Sequence, residues 1–333
     1  MNGQHTDVPG NLGPVEAIQY RFSGPVSDKY DIYYMAILNN GQHTSWAKNG
    51  ATVGTMGRGL HIVGYRLAYF QKGTHPNLDT SNPLVANTQD GIQFMGSTVR
   101  YVNGDGSNHT GWGWNGDDRY YFVDSWPVTG WQYIDGYKYY FDGSGKLVQD
   151  VEPLIGNAGP FQIKINKEMN CLTIYAQDGG NGFIIPVKSF LTSTGDDTPL
   201  GTFHIPEKYR WRPMINNVYS QYATRLGKNM RILMHSIIYD QPNPYTVWAS
   251  TYNGLGTARS AGCIRLTTAD AKWIYDHCPV GTAVTVYNSR VAGPFERPTI
   301  EAEIAFEQTW DPTDPDVTAE GIASEIARIR GQQ

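Results

Sequence analysis

Two segments built on one plan lie nineteen residues apart. Gly111-Trp112-Gly113-Trp114 leads to Tyr120-Tyr121-Phe122, and Gly130-Trp131-Gln132-Tyr133 leads to Tyr139-Tyr140-Phe141, so an aromatic triplet begins eight residues after Trp112 and after Trp131. Thirteen of the 41 residues from Tyr101 to Phe141 are aromatic. Asp117-Asp118 and Asp135-Gly136 fall between the tryptophan and the triplet, where a short hairpin loop wants Asn, Asp or Gly at positive φ. A unit this small cannot bury a face of its own, so such hairpins must stack on one another. The repeat therefore predicts a stacked, aromatic, all-β region over 106–157.

Upstream, short apolar runs are punctuated by Asn40-Gly41-Gln42, Asn49-Gly50 and Gly54-Thr55-Met56-Gly57-Arg58-Gly59. The Gly54–Gly59 run lacks the glycine order and the Lys-Ser/Thr ending of a phosphate cradle, so its glycines read as turn residues. Residues 1–105 are expected to form an all-β domain. From Pro160 the texture changes: Ile163–Asn166 and Leu172–Tyr175 alternate as strands around the turn Lys167-Glu168-Met169-Asn170. A helix is predicted over Thr268–Cys278, with Ala271, Ile274, Tyr275 and Cys278 on one face and Pro279 as its stop, followed by the strand Ala283–Tyr287. This second domain spans 158–290, and 291–333 is a Pro/Asp-rich tail of linker composition with a short amphipathic helix carrying Ile322, Ile326 and Ile329. The predicted class is mostly β, with one or two short helices in the second domain.

Composition removes several functions. Charged residues are 17% of the 333 and aromatics 13%, which excludes a disordered charged tail. The net charge of −5 offers no basic footprint for nucleic acid. No apolar run is long enough to cross a membrane as a helix. The start, Met1-Asn2-Gly3-Gln4-His5, reads like the interior of a longer protein, so a signal or anchor is expected to have been trimmed. Three cysteines make neither a disulfide framework nor a metal pair. Cys171 and Cys278 fall in core patterns, as separate thiols or, in an exported protein, as a pair.

Cys263 sits differently, in Arg259-Ser260-Ala261-Gly262-Cys263-Ile264-Arg265-Leu266 just before the predicted helix. A nucleophilic thiol needs nearby positive charge or a helix N-terminus, partial exposure and a base. Arg265 and the start of the helix are candidates for the first. Gly262 lets the backbone approach substrate, so that the amides of Gly262 and Cys263 face an oxyanion. The base is His235, on the apolar strand Arg231–Ile238. Read singly, Cys263 and His235 are each more simply core residues; the pair points to catalysis.

His235-Ser236, then Ser260-Ala261-Gly262-Cys263-Ile264-Arg265-Leu266, preceded by Thr198-Pro199-Leu200-Gly201-Thr202-Phe203, resemble YkuD-type L,D-transpeptidases of bacterial cell walls across 160–288. Two departures stand out. The family commonly has histidine where this chain has Ala261, and the His-to-Cys interval is lengthened around Tyr239-Asp240-Gln241-Pro242-Asn243-Pro244. Gly130–Leu147 resembles Gly-Trp cell-wall or glucan-binding repeats related to choline-binding modules, and 15–70 resembles the tryptophan-containing hydrophobic repeats of clostridial surface proteins, which implies surface or wall binding by 1–105.

The resemblance implies a Cys263 thioester formed on a peptidoglycan tetrapeptide stem and resolved by the amine of a second stem into a 3→3 cross-link, with no metal or other cofactor. It implies that Ser236 orients His235, and that Arg265, with Gly262, Ser260 and Ala261, binds substrate. Trp112, Trp114, Tyr121, Trp131, Tyr139 and Tyr140 are the candidate glycan contacts, offering ring faces to sugars or to a quaternary ammonium of teichoic acid. The expected setting is extracellular and cell-wall-associated, in a Gram-positive organism. Lys208–Met230, with Trp211, Tyr219 and Tyr222, is expected to form a lid over the site. Three alternatives stay open: an L,D-carboxypeptidase using water as acceptor, a wall-binding protein impaired by Ala261, and another thiol peptidase of papain or sortase type.

Overall fold

The computed structural model describes residues 15–56, 60–86, 91–95, 98–103 and 107–331. The expected trimming before Met1 and the end of the glycine run, Gly57-Arg58-Gly59, lie outside the described residues. The protein is mostly β and divides into two compact units, Met1–Gln132 with Tyr140–Leu147, and Tyr133–Tyr139 with Val148–Gln333.

The first unit begins with strands β1 (Ala17–Ile18), β2 (Tyr30–Leu38), β3 (Ala47–Lys48), β4 (Val53–Met56), β5 (Ile62–Gln71) and β6 (Leu84–Ala86). They form two three-stranded sheets, β3-β2-β5 and β1-β4-β6. Ile32, Tyr34, Ala36 and Leu38 of β2 pack with Ala47 and Val53, the period of two placing these even-numbered residues on one face. The edge of Tyr20 meets the Tyr34 ring with centroids 5.2 Å apart. Next come β7 (Gly91–Met95) paired with β8 (Thr98–Val102), and then the repeats.

Those repeats are β9 (Gly111–Asn115), β10 (Asp118–Val123), β11 (Trp126–Pro127), β12 (Gly130–Ile134) and β13 (Tyr137–Phe141). The pairing Asn115↔Asp118 leaves Gly116-Asp117 as the first loop, one residue earlier than expected, with Gly116 at φ +58°. The second loop is Asp135-Gly136 as read, with φ of 51° and 82°. Edge-to-face pairs repeat the period: Trp112 on Tyr121 at 5.2 Å and Trp131 on Tyr140 at 5.1 Å. The last ring of each triplet, Phe122 and Phe141, is fully buried. The aromatic periodicity thus first reports how the hairpins stack.

The second unit contains α1 (Glu152–Ile155), β14 (Phe161–Asn166), β15 (Cys171–Gln177), β16 (Phe183–Leu191), β17 (Gly201–His204), β18 (Lys208–Pro213), β19 (Tyr219–Arg225) and β20 (Leu233–Ser236). It continues with α2 (Ala249–Asn253), β21 (Ile264–Leu266), α3 (Thr268–His277), β22 (Ala283–Tyr287) and α4 (Ala319–Arg330). One sheet runs β16-β15-β14-β22-β17 and the other β18-β19-β20-β21. The segment expected to be a lid is the β18–β19 hairpin of the second sheet, with Tyr222 buried. Alternating apolar and aromatic residues there fill a sheet face, and only the hairpin tip, Met214–Val218, reaches the cavity of the site. Cys171 and Cys278 are both buried free thiols, so the pairing open to an exported protein is not made.

The residues of linker composition are a strap on this unit. The first turn of α3 has N–H groups with no intrahelical acceptor. Thr268 N donates to Asp311 Oδ2 at 2.8 Å and Ala269 N to Thr313 Oγ1 at 3.2 Å. Asp314 Oδ2 accepts from Tyr239 OH at 3.0 Å and from Gln221 Nε2 at 2.5 Å. Asp and Pro are what a linker uses, but also what a cap supplied from a distance uses. Beyond it, α4 lies against Tyr245, where a Cβ on Gly321 would meet the Tyr245 hydroxyl at 1.8 Å. Asp311→Ala is expected to cost about 1–3 kcal/mol by orphaning the buried Thr268 N–H, read as a lowered urea midpoint, with Asp311→Asn losing less.

Candidate active site

The site grows from one pair of strands. β20 and β21 run parallel with Met234↔Ile264, His235↔Arg265 and Ser236↔Leu266 in register. Side chains two apart share a face, so Arg265, and Cys263 two residues before it, turn to the side of His235. All three line one cavity of about 600 Å³, together with Ser260, Ala261 and Gly262. Cys263 is a partly exposed free thiol, and His235 is 1% exposed.

The tautomer of His235 follows from one bond. Its Nδ1 lies 2.5 Å from the Ser236 carbonyl oxygen, which can only accept, so Nδ1 carries the proton and the neutral ring keeps its lone pair on Nε2. Nε2 is buried without a hydrogen-bond partner. Burial holds the imidazole down to about 4; the Ser236 carbonyl opposes this and the Arg265 charge adds to it. Burial also pushes the Cys263 thiol up, against a backbone hydrogen bond at Leu233 and the charges of Arg265 and Arg225. At neutral pH the resting pair is therefore a thiol beside a neutral base, not a thiolate beside an imidazolium.

Two sequence expectations change here. Ser236 touches His235 through its carbonyl, while its hydroxyl accepts from Gln221 N at 2.8 Å and donates to the Ile237 carbonyl at 2.8 Å. The helix N-terminus expected to help the thiol is already spent, because α3 starts after β21 and its first N–H groups go to Asp311, Thr313 and Thr267. Arg265 remains a nearby cation, along with Arg225 and Arg231, and its Nε is buried without a partner.

Sequence reading missed the loop that holds the backbone leading into Cys263. Gly195 pairs with Ser260 in a parallel bridge, Asp197 N donates to the Ala261 carbonyl at 3.0 Å, and Thr198 Oγ1 donates to the Gly262 carbonyl at 2.7 Å. A Cβ on Gly195 would lie 2.1 Å from the Ser260 carbonyl oxygen. Thr198 opens the Thr-Pro-x-Gly-x-Phe segment, so the motif was visible and its contact was not. Ser260 adds a bond from its hydroxyl to the Cys263 carbonyl at 2.5 Å.

The candidate glycan contacts separate by exposure. Trp114 is 51% exposed and Trp131 36%; the Arg119 guanidinium lies 3.7 Å from the Trp112 ring centre and 5.3 Å from that of Trp114. Tyr121 and Tyr140 are half-buried partners of their tryptophans. Tyr139 is 4% exposed, its ring against Phe295, so it is a core residue and offers no ligand face. Exposed Trp126, at 49%, was not singled out from the sequence. Among the described residues no group of three or more His, Cys, Asp or Glu gathers to hold a metal, and no helix is long and apolar enough to cross a membrane.

Residues 160–286 match the L,D-transpeptidase catalytic domain family YkuD, and 129–147 match a choline-binding-type cell wall binding repeat. The matched catalytic-domain segment lies within the second unit. YciB of Bacillus subtilis (strain 168), assigned by name to the L,D-transpeptidases, is 34% identical over 118 residues, covering 34% of this chain and 59% of that protein. Among solved structures, L,D-transpeptidase 3 of Mycobacterium tuberculosis is 18% identical over 38% of this chain and 61% of its own, with a TM-score of 0.30. A fused Zn-dependent amidase/peptidase/peptidoglycan-binding-domain protein of Clostridium acetobutylicum ATCC 824 is 23% identical over 40% and 57%, with a TM-score of 0.29. The chain thus spans about three fifths of the length of these relatives.

Two outcomes follow for the second unit. Gly195→Ala drives a Cβ into backbone and should unstitch the loop from the turn before Cys263, lowering acylation of that thiol at least tenfold while the protein stays folded by circular dichroism. The second concerns acid. His235 has a folded value near 4 against an ordinary 6.5, so the unfolded chain binds the proton first as pH falls. The stability it contributes is present above about 6.5 and lost as pH drops toward about 4. Urea midpoints at pH 7 and 4.5 should therefore fall further for the wild type than for His235→Gln.

Proposed function

We propose that the protein is a cysteine-dependent L,D-transpeptidase that forms 3→3 cross-links in peptidoglycan at the cell wall. The observation that carries this reading is the unpartnered, unprotonated Nε2 of His235 on the face shared with the Cys263 thiol. In the first half-reaction Nε2 takes the thiol proton as Sγ attacks the carbonyl carbon of the third, diamino residue of a tetrapeptide stem. The tetrahedral oxyanion meets the N–H groups of Gly262 and Cys263. Supporting this, the carbonyls of Ala261 and Gly262 are bound by Asp197 N and Thr198 Oγ1, and a trans peptide points its N–H opposite to its carbonyl. One such donor is worth about 3–4 kcal/mol.

Collapse breaks the C–N bond, the imidazolium returns its proton to the leaving amine, and the terminal D-amino acid departs from the thioester. The amine of a second stem then attacks the thioester carbon; its proton passes through His235 to Sγ as the C–S bond breaks. Arg265 fits a substrate carboxylate, and Ser260 and Ala261 line the path beside it. The repeat over 129–147, with exposed Trp131, and the preceding copy, with exposed Trp114, support a reading in which the protein holds wall glycan or teichoic acid outside the cell, in a Gram-positive organism.

Incubation with disaccharide-tetrapeptide is expected to give, by mass spectrometry, a dimer lighter than two substrates by one terminal D-amino acid and a transient adduct on Cys263, both absent in Cys263→Ala. Tripeptide without dimer would instead make water the acceptor and the enzyme an L,D-carboxypeptidase. No adduct on the wild-type thiol would overturn catalysis altogether.

A further inference from the structure

The cavity at Cys263 is electrostatically lopsided. It is lined by Arg231, His235 and Arg265, and among the described residues by a single acidic side chain, Asp197. Asp197 is exposed, and its carboxylate makes no hydrogen bond or ion pair with the described residues. Yet it is held firmly. Its own N–H is bound to the Ala261 carbonyl at 3.0 Å, the next residue's hydroxyl to the Gly262 carbonyl at 2.7 Å, and Gly262 faces it so closely that a Cβ there would lie 3.0 Å from the Asp197 Cβ. The charges that act on the Cys263 thiol are those of Arg265 and Arg225, so Asp197 is not needed for the attack on the donor. Arginines suit the carboxylates of a donor stem; a cation entering the same cavity meets only Asp197.

We propose that Asp197 is the specificity residue for the second half-reaction, binding the ammonium of the acceptor next to the thioester and favouring amine over water. This rests on the thioester reading above. The bound ammonium gives one proton to bulk water to become the amine. The amine nitrogen bonds to the thioester carbon, its second proton moves to His235 Nε2 and on to Sγ, and the C–S bond breaks, so atoms and charges balance. Asp197 positions the cation by charge and hydrogen bonding.

The experiment resolves the preformed Cys263 acyl-enzyme with two nucleophiles at pH 8: an alkylammonium-bearing tetrapeptide stem, and hydroxylamine, which is uncharged. The readout is the ratio of the two kcat/KM values within each variant, which cancels general damage. In Asp197→Asn the ratio should fall about fivefold to tenfold, carried by KM for the cationic acceptor, with hydrolysis gaining share. Asp197→Glu should restore most of it, and Asp197→Lys should lower it further. An unchanged ratio in Asp197→Asn and Asp197→Lys, with the acyl-enzyme formed, overturns the role of Asp197 alone. Failure of the wild-type thiol to acylate overturns the thioester reading and this inference with it.

Discussion

The parallel pairing of β20 with β21 is the constraint on which the site depends. Three backbone register positions decide which face each side chain takes, and they place an imidazole, a thiol and a guanidinium together without any of the three touching in sequence. A slip of one residue would turn Cys263 and Arg265 to the opposite face. The register is in turn anchored on the far side of β21, where Arg265 exchanges two backbone hydrogen bonds with Ser193 at 2.8 and 2.9 Å. The single bond from His235 Nδ1 to its neighbour's carbonyl then settles which nitrogen is free to act.

Around that pairing, remote segments supply what local sequence lacks. The loop 195–198 holds the carbonyls of the nucleophile turn, and Gln221 N on β19 holds the Ser236 hydroxyl. Asp314 from the strap reaches the same Gln221 through its side chain and Tyr239 through its hydroxyl. The strap is buried carboxylate, and burial pushes Asp314 up from its ordinary value, opposed by its hydrogen bonds. It lies beyond the matched 160–286, so the folded unit is larger than the family domain.

What could be read beforehand divides by the range of the interaction. Helix α3, the β14–β15 turn and the aromatic hairpins are written in local periodicity and turn chemistry, and they stand within a residue or two of where the sequence places them. Cys263 and His235 were legible because their neighbours form motifs. The strap was not, since Asp311 and Asp314 act on residues 43 and 75 positions away, Thr268 and Tyr239. Nor was Tyr139 separable from Tyr140: alternate residues of one strand face opposite sides, and only the packing tells which side is the interior. The aid expected from the α3 N-terminus failed for the same reason, because the strap that caps it comes from far along the chain.

At rest, a neutral imidazole protonated on Nδ1 shares its face with a neutral thiol. Nitrogen NMR of the His235 ring across a pH titration reads that state. The expected result is an Nδ1–H tautomer with unprotonated Nε2 at pH 7, persisting until the ring titrates near 4. An imidazolium at pH 7 that becomes neutral on Cys263→Ala would contradict it, and would mean that the thiolate–imidazolium pair is formed before substrate arrives.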